Sequence, residues 1–336
     1  MIVIFCYGIS WACGSVQARN NDRRILVSLN FDGRSRIQME IKTLRYFLAV
    51  AREENMTRAA ENLHVTQPTL SKQLKSLEDE LGKKLFVRHS FSIKLTDEGV
   101  LLRNRAEDLV SMADKIEREF VSLDDITGGD LYFGLAESYQ IGFLAREISR
   151  FKESYPGLQY HITSGDTEQV AEKLDKGLLD FVVLCEKPNP SKYEAIMFPK
   201  SDVWGVVMPE DDPLTEKEVI RVDDLIGLPL FCSRQSWEND IPRWAEEKMA
   251  QLHLEGSFRL AYNASMFAKE HLGYLLTFDK LLNTTPGSGL AFRPLEPALE
   301  TRLYLVWKRY QTFSPIAERF LQRVRRSFGA HTQNKL

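Results

Sequence analysis

"TQPTLSKQLKSLEDELG", residues 66–82, reads as one helix with two unlike ends. Leu70, Leu74, Leu77 and Leu81 recur at spacings of four, three and four, which lays a single apolar stripe along it. Thr66 suits the N-cap, Pro68 the first turn, and Gly82 the position just past the end, where the backbone turns left-handed. Away from the stripe, the first two turns carry Gln67, Thr69, Ser71, Lys72, Gln73 and Lys75, whereas Glu78, Asp79 and Glu80 come later. Short hydrogen-bonding side chains and cations at a helix start suit base-edge reading in a DNA major groove, and the free amides there favour a phosphate. The acids, two turns on, are expected to face water beyond the groove.

Upstream, Ile41, Leu44, Phe47, Leu48 and Ala51 share one helical face. In "NMTRAAENLHV" Asn55 or Thr57 can cap a second helix, whose small Ala59 and Ala60 permit a close crossing. Downstream, "GKKLFVRHSFSIKLT" supplies two short β-like runs with Lys83, Lys84, Arg88 and Lys94 around the turn. Three helices and a basic hairpin over residues 39–96 make a winged helix-turn-helix. Its candidate DNA contacts are Thr57, Thr66, Gln67, Pro68, Thr69, Ser71, Lys72, Gln73, Lys75 and Arg88. A merely solvated amphipathic helix is the plain alternative for residues 66–82 alone, and the order of elements around it weighs against that.

The framework "AA..L.V.QP.LS.Q...LE..LG..LF.R......LT..G", as it stands between residues 59 and 99, closely resembles the DNA-binding domain of LysR-type transcriptional regulators. The likeness extends over roughly residues 39–328. It implies double-stranded DNA as a partner, a periplasmic-binding-protein-like effector domain, and self-association as a dimer or tetramer.

Residues 97–127 read as a linker helix and hinge. Thr96 can cap it, Asp97 and Glu98 complement its dipole, and "DDITGGD" ends it at 124–130. Along it Leu102, Ala106, Leu109, Ala113, Ile116 and Phe120 form a heptad seam that can cover the chain's own core or the same helix of a second copy. The resemblance favours the second, an antiparallel pair of linker helices.

Residues 128–330 alternate strand and helix signals. "LYFGL", "LQYHIT" and "DFVVLC" are strand-like around the helical "GFLAREISRFKESY" and "TEQVAEKLDKG". In a second series, "VWGVVM", "LPLFCS", "FRLAYN" and "GYLLTF" read as strands, with "WENDIPRWAEEKMAQL" as a helix. "GLAFRPL", "RLYLVWKRY" and the helical "SPIAERFLQRVRRSF" close the chain. Two α/β subdomains with a ligand cleft follow, so the expected fold class is α/β overall. Ligands in such sheets sit beyond the C-terminal strand ends, near helix starts that suit an anion. The candidate effector contacts are Ser138, Tyr139, Gln140, Thr163, Ser201, Ser233, Tyr262 and Asn263. Position together with the resemblance favours Ser138, Thr163, Ser201, Ser233 and Asn263.

Charge is uneven. The chain carries −3, residues 1–38 and 39–95 carry +3 each, and residues 96–336 therefore carry −9. That balance fits a small polyanion-binding module joined to an acidic body. Cys6, Cys13, Cys185 and Cys232 form no CxxC pair, and the six histidines show no metal-ligand spacing. Neither a phosphate-binding glycine loop nor a nucleophile elbow occurs, so no catalytic residue, metal or cofactor is expected. The apolar start "MIVIFCYGISWACGSVQA" lacks a preceding cation and is too interrupted to span a bilayer. Residues 1–38 are read as an extension outside the fold, with Met39 as the functional start, and the cytoplasm as the location. An exported solute-binding protein and an architectural DNA binder without ligand stand as alternatives.

Overall fold

The computed structural model describes residues 27–29, 37–88, 92–123 and 127–333. The chain divides into two compact units, 1–110 and 111–336.

In the first unit β1 (Val27–Leu29) pairs antiparallel with β2 (Ile37–Met39). This ribbon lies within the segment expected to stand outside the fold, so part of that extension is structured; the rest of it lies outside the described residues. Helices α1 (Ile41–Glu53), α2 (Met56–Asn62) and α3 (Gln67–Leu81) follow, then the hairpin β3 (Phe86–Arg88) and β4 (Ile93–Leu95). Asn55, not Thr57, caps α2: its side-chain oxygen accepts from the Thr57 and Arg58 amides at 2.9 and 3.0 Å. The leucine stripe of α3 is buried at Leu70, Leu74 and Leu77 against Leu44, Phe47, Val50, Ala59 and Ala60, with Leu81 partly buried beside them.

Helix α4 (Asp97–Ser122) starts where expected, with the Gly99 amide donating to Thr96 Oγ1 at 3.0 Å. Its seam is divided. Ala106 is buried in the winged core and Leu102 packs against it, so these two serve the chain's own core rather than a second copy. Leu109, Ile116 and Phe120 stay exposed, Phe120 at 70%, and Ala113 is half-buried. Past the division, Lys115 is buried at 5% exposure. Its ammonium reaches Asp180 Oδ1 at 2.8 Å and the Gly177 carbonyl at 3.0 Å, 4.9 Å from the Tyr132 ring centre.

The second unit holds two α/β halves. The first contains β5 (Gly128–Leu135), α5 (Ile141–Ser154), β6 (Gly157–Ser164), α6 (Thr167–Asp175) and β7 (Phe181–Leu184), with β6 and β7 both parallel to β5. Strand β8 (Tyr193–Pro209) then runs for 17 residues into the second half. That half holds α7 (Val222–Leu225), β9 (Pro229–Ser233), α8 (Arg234–Asn239), α9 (Ile241–Ala245), β10 (His253–Phe258), α10 (Ala261–Lys269), β11 (Tyr274–Phe278) and β12 (Leu290–Pro294). Strand β13 (Glu300–Lys308) returns along β8, and α11 (Pro315–Gln333) closes the first half's core through Ile316, Phe320, Val324 and Phe328. The sheet order is β10-β9-β11-β8-β13-β7-β5-β6, with β12 also on β8.

Two local expectations change. "FRLAYN" is not a strand: β10 ends at Phe258 and α10 begins at Ala261, so Tyr262 and Asn263 lie on a helix. The single helix expected over residues 237–252 is broken into α8, α9 and a 3-10 turn, because Pro242 lacks the amide that would continue the first helix.

Replacing Lys115 with Met should destabilise the full chain by about 3–5 kcal/mol, since it strands a buried carboxylate. The double variant Lys115→Met, Asp180→Leu should recover much of that loss in urea denaturation; no recovery would mean that the charge pair is not what holds this end of α4.

Candidate functional site

The first two turns of α3 present Gln67, Pro68, Thr69, Lys72, Gln73 and Lys75 to solvent, with Thr66 and Thr57 exposed nearby and Ser71 half-buried. The leucine stripe fixes this orientation, because burying Leu70, Leu74 and Leu77 forces the opposite face outward. Thr66 Oγ1 accepts from the Thr69 amide at 3.4 Å and lies 2.8 Å from Thr69 Oγ1, so two of the expected reading hydroxyls hold each other. Arg88 lies in β3; its side chain is outside the described residues, as is the turn of the hairpin.

The acids of α3 do not all face water. Glu78 Oε1 accepts from the Leu85 and Phe86 amides at 2.8 and 3.3 Å, and its Oε2 from Lys84 Nζ at 2.8 Å. Burial alone would push its carboxyl up, but the Lys84 ammonium and the two amides outweigh burial and hold it below the ordinary carboxylate range. Glu78 therefore ties the end of α3 to the start of the wing. Asp79 is exposed, and Glu80 accepts from Ser76 Oγ at 3.4 Å.

In the second unit a cavity of about 920 Å³ opens between the two halves. Its walls come from the ends of β5, β7, β9 and β11 and from the starts of α6, α8 and α10, the strand-end position expected for this sheet type. Among the eight expected contacts, only Ser233 lines it, where its hydroxyl caps α8 by accepting from the Ser236 amide at 3.2 Å. Ser138 is buried instead: its hydroxyl donates to Asp202 Oδ2 at 2.5 Å and accepts from the Gln140 amide at 2.9 Å. Gln140 Nε2 donates to the Ser201 carbonyl at 3.2 Å, which joins the two halves beside the cavity rather than in it. Burial pushes the Asp202 carboxyl up against these bonds, and its Oδ1 has no partner among the described residues. Tyr139 is exposed with Lys280 Nζ 5.5 Å from its ring centre, Thr163 is the penultimate residue of β6, opposite Gly134, and Tyr262 and Asn263 face solvent on α10.

The residues that do meet across the cavity lie one to four positions away from those expected. Glu137 Oε2 accepts from the Ala261 amide at 2.8 Å, so a carboxylate of the first half sits on the start of α10 in the second. Gln235 answers from the second half: its Oε1 accepts from the Thr167 amide at 3.2 Å and its Nε2 donates to Thr167 Oγ1 at 2.9 Å. Trp204 and Phe278 meet at 4.5 Å, edge to face, and both line the cavity. The strand-end signal located these turns, but only the fold decides which neighbour in "AESYQ" or "SGDTE" faces inward.

Two family models match the chain. One, described as a bacterial regulatory helix-turn-helix protein of the lysR family, covers residues 41–100; the other, the LysR substrate binding domain, covers residues 126–329. The chain is 32% identical over 195 residues to the DNA-binding transcriptional dual regulator OxyR of Escherichia coli (strain K12), across 57% of this chain and 63% of that protein. The matched part is thus less than two thirds of that relative's length. It is 24% identical over 294 residues to the HTH-type transcriptional regulator YvbU of Bacillus subtilis (strain 168), across 87% of this chain and 100% of that one. In structure it resembles CbnR, a LysR family transcriptional regulator, with a TM-score of 0.70 at 19% identity over 86% of this chain and 99% of that one, a likeness of fold.

The Glu78 clamp predicts a sign for acid stability. A carboxyl held low in the folded state contributes stability that is present above the unfolded value of about 4.3 and is lost as pH falls through the lower folded value. Glu78→Gln should lower stability at pH 7 by about 1–3 kcal/mol and flatten the loss below pH 4 of residues 39–123. An unchanged acid limb of the unfolding curve would refute the clamp.

Proposed function

The chain belongs to the LysR family of bacterial regulatory proteins, and on that footing we propose that it is a sequence-specific DNA-binding transcriptional regulator whose α/β unit senses a small molecule in the cavity between its halves. The observation that carries this reading is α3, whose buried stripe turns Gln67, Thr69, Lys72, Gln73 and Lys75 outward together. In that reading Gln67, Thr69, Ser71 and Gln73 read base edges, Lys72 and Lys75 meet guanine or phosphate, and Thr57 and Arg88 contact backbone at either side. Residues 39–96 form the DNA-binding domain, 97–127 the linker and 128–330 the effector domain, and the site of action is the cytoplasm.

Two copies suit such a module, because doubled half-sites multiply affinity. Leu109, Ile116 and Phe120 supply the exposed apolar seam for pairing α4 with another α4. A cavity of about 920 Å³ speaks against an architectural binder without ligand. The described cysteines speak against a thiol-based sensor: burial pushes the thiols of Cys185 and Cys232 well up, whereas attack on an oxidant needs a thiolate. No helix among the described residues is long and apolar enough to cross a membrane.

Gel-shift titrations against salt separate the roles in α3. Lys75→Ala should weaken binding alike across operators and reduce the slope of log K against log salt by about one. Thr69→Ala should change the preference between operators; equal losses on all of them would remove base reading from that side chain. Phe120→Lys should lower the oligomeric state in sedimentation, and an unchanged state would exclude the α4 seam.

A further inference from the structure

We infer that the cleft takes a cationic ligand, an organic amine or related cation carrying an apolar body, held by carboxylates above the walls of Trp204 and Phe278. The inference rests on the proposal that this cleft is the effector site, and it replaces the anion that the helix starts suggested.

Charge is the first ground. Glu137, Asp166, Glu168, Glu186 and Glu238 line the cavity against only two cations, Arg234 and Arg259. Arg234 is already bound to Glu238 at 3.1 Å along α8. Glu168 and Glu186, both exposed, make no hydrogen bond or ion pair among the described residues, so no protein cation pairs with either. A concave site with low-dielectric walls focuses such a field and draws in cations.

The second ground is that the anion-binding positions at the starts of α6 and α10 are filled. The first amide of α10 carries the carboxylate of Glu137 at 2.8 Å, and that of α6 carries the side-chain oxygen of Gln235 at 3.2 Å. Asp166 adds a second carboxylate at the start of α6, accepting from the Gln169 amide at 2.9 Å. An incoming carboxylate would have to displace these groups and then sit among like charges, whereas an ammonium is attracted by them.

The third ground is independent of charge. Thr277 lines the cavity at 4% exposure, and its hydroxyl has no partner among the described residues. A hydroxyl on a residue this buried that bonds nothing in the protein is free to meet a ligand in the cavity, and its lone pairs can accept from an ammonium. Beside it, Trp204 and Phe278 supply the aromatic faces that favour a cation, and Leu276 and Leu281 the apolar wall for its body.

Thermal unfolding of the full chain tests this with alkyl and aryl amines of about two to ten carbons, each beside the carboxylate and the alcohol of the same skeleton. Amines should raise the midpoint, by roughly 5 °C at a hundredfold excess over Kd, while the matched carboxylates leave it unchanged. Glu186→Gln and Thr277→Val should each weaken the amine response by about tenfold or more. If carboxylates stabilise and amines do not, the charge assignment is overturned while the effector reading of the cleft stands. If no amine stabilises, or if amines stabilise but both variants respond as the parent does, no cation is held by these groups and the inference falls, while the effector reading of the cleft, which names no ligand class, stands apart from it.

Discussion

The second unit depends on one pair of strands. The chain enters its second half along β8 and returns along β13, and the two pair antiparallel from Val203 opposite Glu300 to Tyr193 opposite Lys308. Every other strand of that half is inserted between them, so the halves are held side by side while their parallel strands end on a shared gap. The cavity is what remains between those ends. Trp204 on β8 donates to Thr301 on β13 at 2.8 Å, which locks the pair where the cavity wall crosses from one half to the other. A single-walled sheet would have strand ends but no facing wall, and a ligand there would bury only one side.

Charge is arranged around the same geometry. In the winged unit the acid of greatest consequence, Glu78, is spent on two wing amides and a lysine, so the reading face of α3 loses nothing to it. In α4 the one buried cation, Lys115, faces Asp180, which also accepts from the Tyr132 amide at 2.9 Å. The helix thus carries a polar anchor at Lys115 in its second half and an apolar one at Ala106 in its first half. Its exposed apolar residues lie between and beyond these anchors. Neither anchor follows from the heptad spacing, which treats Ala106 and Ile116 alike.

Legibility in the sequence followed how local the cause was. The leucine stripe of residues 70–81, the Thr66 and Thr96 caps and the Gly82 stop are set by near neighbours, and each appears where its spacing places it. Of the 17-residue β8 the sequence signals only "VWGVVM", because "YEAIMFPKSD" carries Pro199, Lys200 and Asp202, which look like turn residues. They are tolerated there by pairing with β13 more than ninety residues away, a partner no window can contain. Strand-end spacing marks the turns around the cavity but not which of their residues face it. Whether Glu137 or Ser138 faces the cavity is decided by the sheet's pleat and by where Asp202 arrives, and Ser138 is drawn to that buried carboxylate.

Ligand class and response are then linked by the bonds that already span the cleft. A ligand moves a protein between arrangements only by binding one better than the other. Glu137 on α10 and Gln235 on α6 hold the halves together without any ligand, so an anion entering at these helix starts competes with closure. A cation placed among Glu137, Glu168 and Glu186 of the first half would also be attracted by Glu238 of the second, and so would add to closure instead. Glu186 lies two residues beyond β7, and Asp180 directly before it, so the cavity wall and the Lys115 anchor of α4 sit at opposite ends of one buried four-residue strand. A strand so short and so fully packed has no internal joint at which displacement of one end is absorbed before reaching the other. The same element that carries a ligand carboxylate therefore carries the fastening of the helix that leads toward the winged unit.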